Sequence, residues 1–356
     1  MIYGLKKDID REIKQYLSHI RKKYKLHLVS DLLFSGIEDF LKREGKRIRS
    51  TLMIISYLGY TKKRKIRKSL LLRSAVSLEF LHAFLLAHDD IIDRSSLRRG
   101  KPALHKYYEI NAGALTGSEI GNNLALVAGD IIFAFAIDSF LAVEEDPLRK
   151  EKGIRRLIDS TIWTGAGEFI DVIGESRDLH EMKLKDVFSI YTLKTARYTF
   201  EGPLLIGAEL AGAGKKELER LSGLGITLGR AFQIADDLLD IFLTSKETGK
   251  PALSDLAESK KTLLVLKTYE NLRKKDQKTF HRLFNKKKKT KSELLCLKRF
   301  IKDSDAPEYC MKNAKTLLKK SSRIIAALKI RKRYKEGLNG VVSNLGSKIE
   351  LIESRI

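Results

Sequence analysis

The stretch 82-HAFLLAHDDIID-93 sets three aspartates at the end of an apolar run that holds neither glycine nor proline. Such a run reads as a helix. At helical spacing Asp89 and Asp93 lie about 40° apart around the axis, and His82 falls between them two turns earlier. A second stretch, 233-QIADDLLD-240, repeats the pattern. There Gln233, Asp237 and Asp240 fall within about 60° of one another. Like charges one turn apart repel and cost helix stability, so each stripe calls for a positive counterpart. Carboxylate oxygens without cysteine or several histidines favour a hard cation, Mg²⁺ in particular. That ion keeps its waters and completes its shell with substrate phosphates. Asp89, Asp90, Asp93, Asp236, Asp237 and Asp240 are therefore candidate metal ligands.

Outward from these stretches the chain keeps a helical character. Apolar residues recur at helical spacing, as at Leu70, Leu71, Leu78, Leu81, Leu85 and Leu86. The five prolines (Pro102, Pro147, Pro203, Pro251, Pro307) leave the first 101 residues free of them, which suits long helices. Breaks near Gly45, Gly100, Gly117, Gly174, Gly214 and Gly249 divide the chain into helices of about 15 to 25 residues. No alternating run with an NG or DG turn argues for a sheet. No Pro/Gly/Ser linker separates two halves. The expectation is one all-α domain over 1–356, with a motif-bearing region of about 45–263 and a basic helical region over 264–356. With 43% hydrophobic residues in 356 the chain is not disordered. Cys296 and Cys310 cannot make a disulfide framework or a conventional zinc site, and read as reduced thiols. The N-terminal MIYGLKKDID has no apolar signal core. The richest apolar stretch, Ile131 to Val143, contains Asp138 and is too short to span a bilayer. The sequence reads as a soluble, cytoplasmic protein.

The net charge is +24, from 69 Lys and Arg against 45 Asp and Glu. It is uneven: residues 282–335 hold 19 basic and 4 acidic side chains, sharpest at Lys286 to Lys289. A second cluster is Lys62, Lys63, Arg64, Lys65, Arg67 and Lys68. These segments read as solvated helix faces, or as peripheral contacts with an anionic membrane. Neither paired zinc ligands nor an aromatic-rich RNA motif is present, so no nucleic acid is expected. Other basic residues keep company with the aspartates: Lys46 and Arg49 in GKRIRS, Arg98 and Arg99 in RRGKP, Lys194 beside Thr195, then Lys250 and Lys260. Arginine forks and lysine point charges are what a diphosphate needs.

The ordered set GKRIRS, LEFLHAFLLAHDDIIDRSSLRRGKPALH, VAGDIIFAFA, YTLKTARY, GRAFQIADDLLD and GKPALSDLAESKKTLL resembles the trans-isoprenyl diphosphate synthases. The resemblance implies an isoprenoid-synthase fold, with helices surrounding a central active-site cavity and two aspartate helices facing each other across its mouth. It implies a homodimer and several Mg²⁺ ions per site. The activity it implies is condensation of isopentenyl diphosphate with dimethylallyl, geranyl or farnesyl diphosphate. By the same resemblance Asp89, Asp90, Asp93 and Asp236, Asp237, Asp240 hold metal on the allylic diphosphate. Arg98, Lys194, Thr195, Gln233, Lys250 and Lys260 match allylic-substrate positions, and Lys46, Arg49, His82 and Arg99 match the isopentenyl diphosphate site. Lys194, Thr195 and Gln233 also offer dipoles to a developing allylic cation. His88 has no such match and reads as structural. Ser50 stands where the family often has proline, a change expected only to loosen a helix position.

In this family the bulk below the first motif sets product length. Phe84 and Leu85 stand five and four residues before Asp89, and nothing interrupts DDIID. This pattern resembles archaeal-type geranylgeranyl diphosphate synthases and implies a C20 product, with farnesyl or longer-chain synthases as the alternatives. A terpene cyclase shares DDxxD but usually lacks a second full copy and the GKR and RRG elements. A basic membrane- or nucleic-acid-binding module would explain the charge but not six aspartates in two apolar helices.

Overall fold

The computed structural model describes residues 2–113, 117–244, 247 and 252–356. Among these the regular structure is helical apart from one two-stranded hairpin, as the proline-poor sequence predicts. The chain gathers into two compact units, 1–157 with 203–213, and 158–202 with 214–356. The division does not follow the end of the motif-bearing stretch near 263. The first aspartate motif belongs to one unit and the second to the other.

The first unit holds α1 (Ile2–Tyr24), α2 (Leu26–Val29), α3 (Asp31–Lys42), α4 (Ile48–Tyr60), α5 (Lys68–Ile92), α6 (Leu104–Asn111), α7 (Ser118–Phe140) and the start of α8 (Pro147–Ser176). After α9 (Leu184–Ile190) of the second unit, the chain returns to the first as α10 (Gly202–Ala211). Helix α5 is the centre of this unit. It packs most extensively on α7 and also touches α4, α1 and α6. Its apolar side chains point in several directions, so Leu71, Leu78, Phe80, Leu81 and Ala87 are all buried. Each large one contributes roughly 1.5–3 kcal/mol relative to exposure. By length and composition alone α5 and α7 each suffice to cross a membrane. The apolar segment around Ile131 is thus longer than the sequence suggests. For α5, protein rather than lipid covers most of the apolar surface.

The hairpin was not anticipated. Leu97 pairs with Pro102 and Arg98 with Lys101, leaving Arg99 and Gly100 as a two-residue turn with φ of 57° and 73°. Positive φ at both positions is the type I′ turn that strand twist favours. An arginine in place of the usual asparagine or aspartate hides it in the sequence.

The second unit contains the rest of α8, then α9, a π-helical segment Tyr191–Glu201, α11 (Lys215–Phe242), α12 (Ser254–Ala257) and α13 (Leu263–Asn271). It continues through α14 (Lys274–Phe284), α15 (Lys291–Lys302), α16 (Ala306–Ala327) and α17 (Lys332–Glu353). Helix α11 is its axis, packed on the π-helical segment, α16 and α17. Two glycines permit the close approach of neighbours to that segment. A Cβ on Gly167 of α8 would lie 2.4 Å from the Lys194 nitrogen, and one on Gly229 of α11 would lie 2.3 Å from the Ala196 Cα. Both cysteines are free thiols, with Cys310 buried.

Candidate active site

In the first unit, α5 presents its aspartates at its C-terminal end. One carboxylate oxygen of Asp89 and one of Asp93 lie within 4.8 Å of each other, a spacing that one hard cation can bridge. Asp90 points elsewhere. It is fully buried, and one of its oxygens receives two donors of Arg98, the Nε at 2.8 Å and an Nη. Arg98 also reaches Asp89 at 3.4 Å. Burial pushes the Asp90 carboxyl up to about 6 against the pull of Arg98, with Asp89 and Asp93 adding to the rise. The sequence reading placed Arg98 on substrate. The structure places it first on the aspartates, as the counter-charge their repulsion requires.

Of the other predicted anion-binding residues, Arg49 and Arg99 come together around His82. Burial holds this imidazole well below its ordinary pKa, and Arg49, Arg99, Arg98 and Arg47 reinforce the effect. Arg99 is pushed down to about 10, by burial and then by Arg47, Arg49 and Arg98. Its guanidinium lies 3.2 Å from where a Gly45 Cβ would stand, and donates to the Arg43 carbonyl at 3.2 Å. Arg43, Arg47, Arg98 and Arg99 line one pocket with Glu79, Phe40 and Leu86. Such crowding of like charge is relieved by an anion. Lys46, by contrast, is exposed.

Two residues that sequence reasoning missed hold this basic pocket together. Arg47 adopts a left-handed backbone (φ 51°) just before α4. Its buried guanidinium donates to Asp10 at 2.7 Å, to Glu79 at 3.3 Å and to the Arg43 carbonyl at 2.8 Å. Glu79 lies one turn before His82 on α5, an acid on an otherwise apolar face, and that position was the available signal. The Ser50 expectation also needs correction. Its hydroxyl donates to the Ala75 carbonyl at 2.7 Å and to Glu79 at 3.1 Å, and its N–H donates to Glu79 at 3.4 Å. Serine fastens α4 to α5 here with an N–H that proline lacks.

Phe84 packs its ring on His88 and on Phe133 of α7, with centroids 4.6 Å and 5.0 Å apart. His88 thus lies against the Phe84 ring.

In the second unit, a chain of hydrogen bonds joins the π-helical segment to α11. Thr195 donates to Gln233 Oε1 at 2.8 Å, and Gln233 Nε2 donates to Asp237 at 2.9 Å. Tyr191 donates to the other Asp237 oxygen and accepts the Leu263 N–H at 2.8 Å. Lys194 lies between Glu168 at 2.7 Å and Asp171 at 2.9 Å, both on α8. Asp237 is buried, and burial raises its pKa against those two donors, with Asp236 and Asp240 adding to the rise. Asp240 receives the N–H and hydroxyl of Ser254 and the N–H of Asp255 at 2.6–3.1 Å. The sequence reading put Asp237 and Asp240 on one metal-facing stripe. The structure engages both Asp237 oxygens with its neighbours and ties Asp240 to the start of α12. Tyr191 and Asp255 were not singled out. Tyr191 lies one turn before Lys194 and Thr195. Asp255, whose pKa is raised by burial and by Asp240, Asp237 and Asp236, lies five residues before Lys260. Lys260 pairs with Glu258 at 3.0 Å. Lys250 lies outside the described residues.

A helical scaffold that carries a carboxylate pair beside an arginine-lined pocket defines a protein built to hold diphosphate with a divalent cation. The profile of the Polyprenyl synthetase family matches residues 30–300. The chain is 34% identical over 264 residues to a geranylgeranyl diphosphate synthase of Sulfolobus acidocaldarius, covering 72% of this chain and 73% of that one. It is 30% identical over 246 residues to a geranylfarnesyl diphosphate synthase of Natronomonas pharaonis, covering 66% and 68%. Its fold is that of the geranylgeranyl pyrophosphate synthase of Corynebacterium glutamicum, solved with isoprenyl diphosphate and magnesium. The TM-score is 0.90 at 24% identity, over 98% and 99% of the two chains. This chain belongs to the polyprenyl synthetase family and is a short-chain prenyltransferase. The family works on isoprenyl diphosphates with divalent metal.

Proposed function

We propose that this chain condenses isopentenyl diphosphate with dimethylallyl, geranyl and farnesyl diphosphates in the presence of Mg²⁺, and that its final product is geranylgeranyl diphosphate, C20. The observation that supports the reading best is the crowding of Arg49, Arg98 and Arg99 around His82, on the same helix as Asp89 and Asp93. Asp89 and Asp93 fit a divalent ion by oxygen type and spacing, and Asp236 is the matching ligand of the second motif. A bound divalent ion neutralises charge on the departing diphosphate.

The chain's own residues do the rest. Lys46, Arg49 and Arg99 bind the diphosphate of the isopentenyl substrate. His82, kept neutral by burial, gives that diphosphate an N–H hydrogen bond. Arg98 offsets the aspartate charges. The allylic C–O bond breaks, and the isopentenyl double bond supplies the electron pair for the new C–C bond. The released diphosphate takes the proton that restores the alkene. Thr195 fixes the amide of Gln233, and these two dipoles with the Lys194 carbonyl stabilise the allylic cation.

Chromatography of products formed from dimethylallyl and isopentenyl diphosphates tests the proposal. A dominant C20 alcohol after dephosphorylation, abolished by EDTA and restored by Mg²⁺, is the expected result. A dominant C15 or C25 product overturns the chain length. Turnover that survives EDTA overturns the metal requirement.

A further inference from the structure

The run Lys286 to Lys289 is the sharpest basic feature of the sequence, and the chemistry above leaves it unassigned. Its four lysines do not share one environment. Lys286, Lys287 and Lys288 are exposed, and Lys286 pairs with Glu293 at the start of α15. Lys289 is turned inward. Its ammonium donates to Ser259 Oγ at 2.7 Å, the Lys286 carbonyl at 2.9 Å and the Ala257 carbonyl at 3.3 Å. An ammonium has three N–H donors and no acceptor, so these three acceptors saturate it. A saturated, partly buried ammonium has nothing left to offer a lipid headgroup.

What it grips is the turn just before Lys260. Ser259 has φ 60°, a left-handed conformation that costs a non-glycine residue and persists only where its surroundings hold it. Two side-chain contacts hold it, the Lys289 ammonium on its Oγ and its own hydroxyl donating to the Phe284 carbonyl at 2.7 Å, beside the backbone bond of its N–H to the Leu256 carbonyl at 3.2 Å. The next residue, Lys260, is tied back by its N–H to the Asp255 carbonyl at 2.8 Å. Asp255 is in turn fixed to Asp240.

We infer that Lys289 is a positioning residue for Lys260: it clamps the strained Ser259 turn from which Lys260 is presented to the allylic diphosphate. This rests on the reading of Lys260 as an allylic-diphosphate ligand.

Steady-state kinetics on the full chain test it, with Lys260→Ala, Lys289→Met, Lys289→Arg, the double variant Lys260→Ala/Lys289→Met, and Lys287→Gln/Lys288→Gln as the charge control. Lys289→Met is expected to raise KM for the allylic diphosphate about tenfold through misplacement of one contact. KM for isopentenyl diphosphate should stay within twofold. Lys289→Arg should recover most of the loss. The double variant should be no worse than Lys260→Ala alone, because residues acting through one contact do not add. The charge control should match wild type. If Lys260→Ala leaves the allylic KM unchanged, the reading of Lys260 falls, and this inference with it. If Lys260→Ala raises that KM and Lys289→Met does not, only the positioning role is overturned. Equal effects of Lys289→Met on both substrates, together with a lowered melting temperature, overturn it in favour of a structural role. Reduced flotation of Lys289→Met with anionic vesicles at unchanged KM overturns it in favour of membrane contact.

Discussion

Single side chains decide how charge is stored near α5. Asp10 shows the balance. Burial opposes its ionisation, yet the Arg47 and Lys6 donors hold its carboxyl below the ordinary 3.8. A depressed carboxyl pKa contributes stability that is present above the unfolded value and lost as pH falls through the folded one. Asp10→Asn should therefore cost about 1–3 kcal/mol at pH 7, where Arg47 loses a charged acceptor. The difference from wild type should shrink below about pH 4. Urea unfolding at pH 7 and at pH 3.5 checks both, and an undiminished gap at the lower pH would show that the ion pair is not its source. Phe84 carries the product-length prediction. Its ring fills space between His88 and Phe133, so Phe84→Ala should move the dominant product from C20 to C25 or longer. Chromatography of the products reads this directly. The residues that sequence alone brought forward were those whose type and spacing announce chemistry, such as Asp89, Asp93, His82 and Arg99. Arg47, Glu79 and Ser50 escaped because their roles lie in partners that are distant along the chain. Nothing in GKRIRS shows that its middle arginine turns inward to an acid of α5.

At the scale of elements, helical periodicity foretold the helices but neither irregularity that shapes them. The Arg99–Gly100 turn and the π-helical segment depend on φ values and on i→i+5 bonding, which no hydrophobic pattern encodes. π-Helical turns recur at functional sites because they shift side chains out of the ordinary register. Here the segment carries Tyr191, Lys194 and Thr195, and Gln233 and Asp237 of α11 support it by accepting from Thr195 and Tyr191. Removing one hydroxyl tests that support. Tyr191→Phe leaves the buried Asp237 short of one donor and the Leu263 N–H without an acceptor, a cost of about 1–3 kcal/mol for each buried group left unmade. Thermal melting should report the loss. Turnover should fall with KM for isopentenyl diphosphate unchanged, since the arginines proposed for that substrate lie in the first unit. A rise in that KM equal to the rise for the allylic substrate would argue against this division of labour. Gly229→Ala probes the same seam by volume. Its methyl would meet the Ala196 backbone, where overpacking costs about 1–3 kcal/mol, so the melting temperature should drop without any change in charge.

For the whole molecule the unevenness of charge matters more than its sum. A net charge of +24 opposes association of two copies unless the meeting surfaces are exempt. Residues 158–176 of α8 are exempt: they hold four acidic side chains and no lysine or arginine. The same stretch exposes Ile158, Ile162, Phe169 and Ile173, at 41%, 60%, 67% and 41% of their surface. Their spacings of four, seven and four residues place them on one helix face. An exposed apolar stripe of this kind marks an interaction surface. We propose a second copy of the chain as its occupant, in agreement with the homodimer implied by the sequence resemblance. A stable pair would bury about 800 Å² on each partner, so the stripe would form the centre of the interface, with polar residues around it. Phe169→Glu and Ile162→Glu should each shift the sedimenting species from two chains to one. They should leave the single-chain fold intact by far-ultraviolet circular dichroism, because neither side chain belongs to the buried core. High salt should strengthen the wild-type dimer by screening the net charge, whereas an assembly held by ion pairs would weaken. Wild-type protein that sediments as one chain at all concentrations and salt levels would leave the stripe to another partner.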